Sequence, residues 1–162
     1  MAERSHRRSA WRMRRWAVRH ARLLESCYEA TARLIRGLDP LWRRIGYERL
    51  ETPFALGEKA VKGLLFDCRM CGNCILSHTG MSCPMNCPKQ LRNGPCGGVR
   101  PDGTCEVTPG MPCVWVAAWE GAQRMRRGAS AMTTVQKPVD HSLLGRSAWL
   151  NLLRETRNHG AS

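Results

Sequence analysis

Apolar residues recur every three or four positions along residues 22–38. Leu23, Leu24, Cys27, Tyr28, Thr31, Leu34, Ile35 and Leu38 fall on one side of a helical wheel. Arg22, Glu25, Glu29, Arg33 and Arg36 take the other side, with Glu29 and Arg33 placed for an i,i+4 pair worth roughly a few tenths of a kcal/mol. The pattern predicts an amphipathic helix with Cys27 as a small residue in its buried stripe. Asp39-Pro40 supplies an N-cap and an N1 proline for a second helix running through Leu50. Val61, Leu64 and Leu65 mark a third between Glu58 and Phe66, so residues 10–67 are expected to be helical.

That periodicity then stops. Residues 67–113 are dominated by Gly, Pro, Asn and Cys, and Pro84, Pro88, Pro95, Pro101, Pro109 and Pro112 exclude long helices and central strands. Helical spacing returns at Val114, where Trp115, Trp119, Ala122 and Met125 share a face that should end near Gly128. Residues 129–140 read as a linker, and Ser147 is placed to cap a last short helix bearing Trp149, Leu150 and Leu153. The expected fold is small, α plus irregular and cysteine-rich. It divides into an Arg-rich N-terminal arm and helix (1–36), a helical lead-in (37–66), a metal-wrapped loop domain (67–115), and a helix, linker and short C-terminal helix (116–162).

The irregular stretch contains eight of the nine cysteines within 46 residues. Their order is Cys68-x2-Cys71-x2-Cys74-x8-Cys83-Pro84-x2-Cys87-Pro88-x7-Cys96-x8-Cys105-x7-Cys113. Three thiolates at the leading spacing surround one small volume, which suits an iron–sulfur cluster better than the paired Cys-x-x-Cys arms usual for zinc. Eight thiolates make two sets of four, so two 4Fe-4S clusters are the simplest stoichiometry. Structural zinc at one or both positions stays open, as does the choice of the remote cysteine that completes Cys68, Cys71 and Cys74. Gly72, Gly94, Gly97 and Gly98 would let backbone N–H groups turn toward sulfur. Lys89 and Arg92 could offset cluster charge, while His78 reads as a solvated loop histidine.

Net charge is +13, most of it at the two ends: +7 over residues 1–36 and +4 over 116–162, against 0 for 37–67 and +2 for 68–115. Two oxidised clusters would lower the total to roughly +9. Seven arginines with Trp11 and Trp16 in the first 20 residues keep a zinc-stabilised nucleic-acid-binding protein as an alternative. Removing residues 1–20 is expected to preserve metal content, since no candidate ligand is lost. No stretch reaches the ~18 apolar residues of a membrane span, and the N-terminus lacks the apolar core of an export signal. The expected location is therefore a reducing cytoplasm, which disfavours a disulfide framework. A Gly-x-Gly-x-x-Gly loop, a phosphate-binding Lys loop and a paired His and nucleophile are all missing, so no catalytic residue is assigned.

The runs Cys68-Arg69-Met70-Cys71-Gly72-Asn73-Cys74-Ile75-Leu76, Thr79 to Lys89, Leu91 to Gly98 and Cys113-Val114-Trp115 resemble the cysteine-rich MetV-type component of methylenetetrahydrofolate reductase. The likeness extends more weakly through Asp140 to Leu143 and Ser147 to Leu150, covering about residues 55–153. The resemblance implies clusters held by Cys68, Cys71, Cys74, Cys83, Cys87, Cys96, Cys105 and Cys113. It further implies a non-catalytic electron-transfer or accessory subunit that works with the flavin of a separate barrel subunit; the electron donor is unknown. A purely structural zinc scaffold of the same complex is the alternative it leaves. The Arg-rich segment before Arg36 matches no part of that pattern.

Overall fold

In the computed structural model, the backbone is described for residues 2–160 and the side chains for residues 10–157. Four helices come first: α1 (Ala2–Arg19), α2 (Ala21–Gly37), α3 (Asp39–Ile45) and α4 (Tyr47–Phe66). A long irregular stretch follows, with single 3-10 turns at Leu76–His78 and Pro84–Asn86, before α5 (Val114–Ala122) and α6 (Ala148–Gly160). Among the described residues there is no sheet, only isolated bridges pairing Val99 with Cys105 and Thr104 with Pro112. None of the described helices is long and apolar enough to cross a membrane.

The first helical region exists as expected, but its buried face is rotated. Ala21, Glu25, Ala32 and Ile35 are buried in α2, whereas Leu23 and Leu34 stay 58% and 63% exposed. Cys27 is exposed, not a core residue. The rotation has a polar cause: the Glu25 carboxylate accepts the Arg126 backbone N–H at 2.8 Å, satisfying a donor just beyond α5. Apolar periodicity alone could not anticipate a carboxylate at the centre of the stripe.

The second and third predicted helices divide differently. Asp39 lies inside α3, with Leu38 at the N-cap. The chain breaks at Gly46, whose φ of +95° is outside the right-handed helical region. It then runs as one helix through Pro53 to Phe66. Pro53 costs α4 a backbone hydrogen bond. Side-chain packing offsets that loss, because Leu50 and Phe54 pack with Tyr28 and Trp42 on a core of Ala32, Ile35, Trp149, Leu150 and Leu153. The expected cap of the last helix is present: Ser147 Oγ accepts the Leu150 N–H at 3.2 Å.

The basic N-terminal segment is packed rather than loose. Ala17 and Ala21 enter a core with Phe66, Cys71, Met81, Cys83 and Met125, while Trp11 packs against Cys87, Met111 and Val114. Removing residues 1–20 therefore takes core contacts from both halves of the cysteine region. The helix begun at Val114 also ends early, at Ala122, leaving Met125 buried in the following turn and Trp119 53% exposed. Backbone approach explains its position. Gly80, at φ +57°, packs directly on Gly121, and a Cβ on either would collide with the other's segment.

The hub of α4 and α6 is Glu58. Its carboxylate accepts from Ser147 Oγ at 2.6 Å, Trp149 N at 2.9 Å and Ala148 N at 3.3 Å, and it pairs with buried Lys62 at 2.9 Å. Glu58→Ala leaves an ammonium and a helix N-terminus without their acceptor, so we expect a loss of about 3–5 kcal/mol in a denaturant titration. Glu58→Gln retains acceptor oxygen and should lose less.

Candidate metal centre

Asp67, in the left-handed conformation at φ 51°, ends α4 and turns Cys68 back so that its N–H reaches the Lys62 carbonyl at 3.3 Å. Asn86 caps the same end by donating to the Phe66 carbonyl at 2.8 Å. The first cysteine is thus delivered by the last turn of α4, beside Lys62. Gly72, at φ +70°, is needed where the chain passes under Leu143, because a Cβ there would strike the Leu143 carbonyl.

The eight clustered cysteines separate into two cavities. Cys68, Cys71, Cys74 and Cys83 line one, and Cys87, Cys96, Cys105 and Cys113 line the other. The Pro84–Asn86 turn lies between Cys83 and Cys87 and divides the sets. Cys83 is the cysteine that shares a cavity with the leading triple. All nine cysteines are free thiols, so no disulfide framework is present. Among the described residues no three His, Cys, Asp or Glu side chains converge closely enough to hold a metal ion.

The two cavities differ in surroundings. Lys62 and Arg92 line the first, both nearly buried. Arg92 donates to the Lys137 carbonyl at 3.0 Å and the Asn73 carbonyl at 3.1 Å, and its Nη1 is 3.9 Å from Cys71 Sγ. Arg92 thus has no solvated surface role. Lys62 lies over the Trp149 ring at 4.6 Å. Burial opposes its charge, but Cys74 and Glu58 outweigh burial and raise its pKa. In the second cavity Cys96 is exposed. Lys89 nearby pairs with Glu106 at the surface.

Backbone donors point at sulfur in both places. Met70 N donates to Cys68 Sγ and Gly98 N to Cys96 Sγ, each at 3.4 Å. Gly72, Gly94 and Gly97 have positive φ as expected, whereas Gly98 contributes through its N–H instead. His78 lies outside both cavities and bonds the Ala131 carbonyl at 3.3 Å. Glu58 and Lys62 were not read from the sequence as site residues. Their i,i+4 spacing looks like an ordinary surface pair, and the available signal was Lys62's place one helical turn and a half before Cys68.

The donor chemistry fits a thiolate-ligated group. Each cavity presents four sulfurs, N–H groups aimed at some of them, and cations or neutral donors in the wall. In addition, Trp115 lines the second cavity, and its Nε1 is buried without a hydrogen-bond partner.

The family profile described as methylene-tetrahydrofolate reductase C terminal matches residues 47–142, more than half of the chain. No curated protein and no solved structure matches it.

Burial, with neighbouring thiols adding to it, pushes Cys68 up to about 11 and Cys83 up to about 12. A raised thiol pKa favours the folded metal-free chain fully below the unfolded value of about 8.5, and that contribution is lost as pH rises through the folded values. In metal-free protein we expect a fraction of the ultraviolet thiolate signal to develop only at the alkaline end. The same fraction should move to ordinary cysteine values in denaturant, and the folded chain should lose stability across that alkaline window.

Proposed function

The chain belongs to the methylene-tetrahydrofolate reductase C-terminal family, and from that premise we propose that it is an iron–sulfur electron-transfer subunit serving a separate flavin-containing reductase barrel. The observation that carries this reading is the sorting of eight cysteines into two four-thiol cavities. The leading Cys68-x2-Cys71-x2-Cys74 triple, which suits a cluster better than paired Cys-x-x-Cys arms, is what favours clusters over zinc. Turning Trp11 into the wall formed by Cys87 and Met111 withdraws one of the two indoles on which base stacking would rely.

When bound, such clusters would supply single electrons that a flavin in the partner could combine into hydride equivalents. Cys68, Cys71, Cys74 and Cys83 would hold one, and Cys87, Cys96, Cys105 and Cys113 the other. Lys62 and Arg92 bring positive charge to the first set and favour its more negative state. Met70 and Met85 line the same cavity and help to exclude water. Exposed Cys96 brings the second set to the surface, where a partner can approach. No residue is assigned to bond making or breaking, so reductase chemistry belongs to the partner.

Anaerobically isolated protein should be brown, with absorbance near ~400 nm that dithionite bleaches and about eight iron per chain. Cys71→Ser should lose part of the iron, whereas Cys27→Ala, on the exposed side of α2, should lose none. A flavoprotein should copurify from the native host. Colourless protein with about two zinc and no sulfide would replace the electron-transfer reading with a structural zinc scaffold.

A further inference from the structure

Trp115 presents a problem that the chain does not solve internally. It is the second residue of α5, only two positions from Cys113, and its side chain is 6% exposed. Its indole N–H can only donate, and it is the one buried side-chain nitrogen or oxygen among the described residues that has no partner. A donor taken out of water and left unmatched is expensive, and native structures rarely keep one without a function for it. Of the residues lining its cavity, the sulfurs of Cys87, Cys96, Cys105 and Cys113 are the acceptors that loading would create. A protonated thiol accepts weakly. Thiolate and sulfide accept well.

We infer that the Trp115 indole N–H donates a hydrogen bond to anionic sulfur of the metal centre held by Cys87, Cys96, Cys105 and Cys113, and so raises the potential of that centre. The inference rests on the iron–sulfur reading above. Trp115 is a positioning and tuning residue, not a ligand. Its attachment supports the role: Cys113 occupies the N-cap position of α5, so one rigid helical start presents both a ligand and a donor. The Ser82 hydroxyl fixes that start by donating to the Val114 carbonyl at 3.1 Å. The Gly98 N–H on Cys96 Sγ supplies a second donor to the same set, so the indole joins an existing pattern.

Trp115→Phe keeps an aromatic ring and removes the N–H. In an EPR-monitored redox titration of the full chain, we expect one of two midpoint potentials to fall and the other to stay. Iron and sulfide content should be unchanged. Two unchanged potentials in a fully loaded variant would overturn the inference. A second measurement needs no substitution at the site: wild-type protein grown with 15N-indole tryptophan, reduced and studied by pulsed EPR. It should show a nitrogen coupling that survives Trp119→Phe. Loaded wild type without that coupling overturns the inference alone, even if Trp115→Phe cannot keep its clusters. Wild type without iron or sulfide overturns the reading beneath it as well.

Discussion

Placing charge beside buried sulfur is the constraint around which this small molecule is arranged. Thiols must be shielded if a group they hold is to keep its ligands, yet thiolates in a low-dielectric interior are costly unless cations and N–H donors face them. The first cavity meets that requirement with Lys62 and Arg92, and each cation brings its own problem. Lys62 would be an uncompensated buried ammonium without Glu58. Glu58 in turn is held by the N-terminus of α6, which is why the last helix docks on α4 and covers that side of the cavity. Arg92 is fixed by carbonyls from Asn73 and Lys137, which ties the segment before α6 to the same site. Much of the tertiary structure can be followed outward from those two cations.

The cavities are built on different electrostatic terms. Two cations face the first set, Lys62 paired with Glu58 and Arg92 held by carbonyls, whereas neutral donors dominate at the second, whose Lys89 is paired with Glu106 at the surface. Burial differs in part, since no cysteine of the first set is exposed while the second has exposed Cys96 beside buried Cys87. Hydration and nearby charge both set the potential of thiolate-bound iron. Two centres of the same type would therefore occupy unequal positions, one insulated and one at the surface.

Local signals were legible where one residue type settles the geometry. The prolines marked an irregular backbone, and Ser147 marked the start of α6 because a hydroxyl at that position has one common use. The errors arose where tertiary contacts decided the outcome. Glu25 looked solvent-facing because its partner, the Arg126 N–H, is about a hundred residues away. Cys27 looked buried because it lay among leucines, some of which are themselves exposed. Gly46 broke the helix expected to run through Leu50, and packing carried the next helix through Pro53, ahead of the start expected at Glu58. Cys83's place in the first cavity depends on the direction of one 3-10 turn, which spacing does not encode.

Helix α1 contributes Ala17 to the core around Cys71 and Cys83, and Trp11 to the core around Cys87. It therefore closes over both neighbourhoods, although it precedes every one of those cysteines in the chain. During synthesis this basic helix emerges before any of its partners, and the last of them, around Val114, leave the ribosome about a hundred residues later. The arginines on its outer side keep the waiting segment dissolved, so its charge serves the newborn chain as much as the finished one.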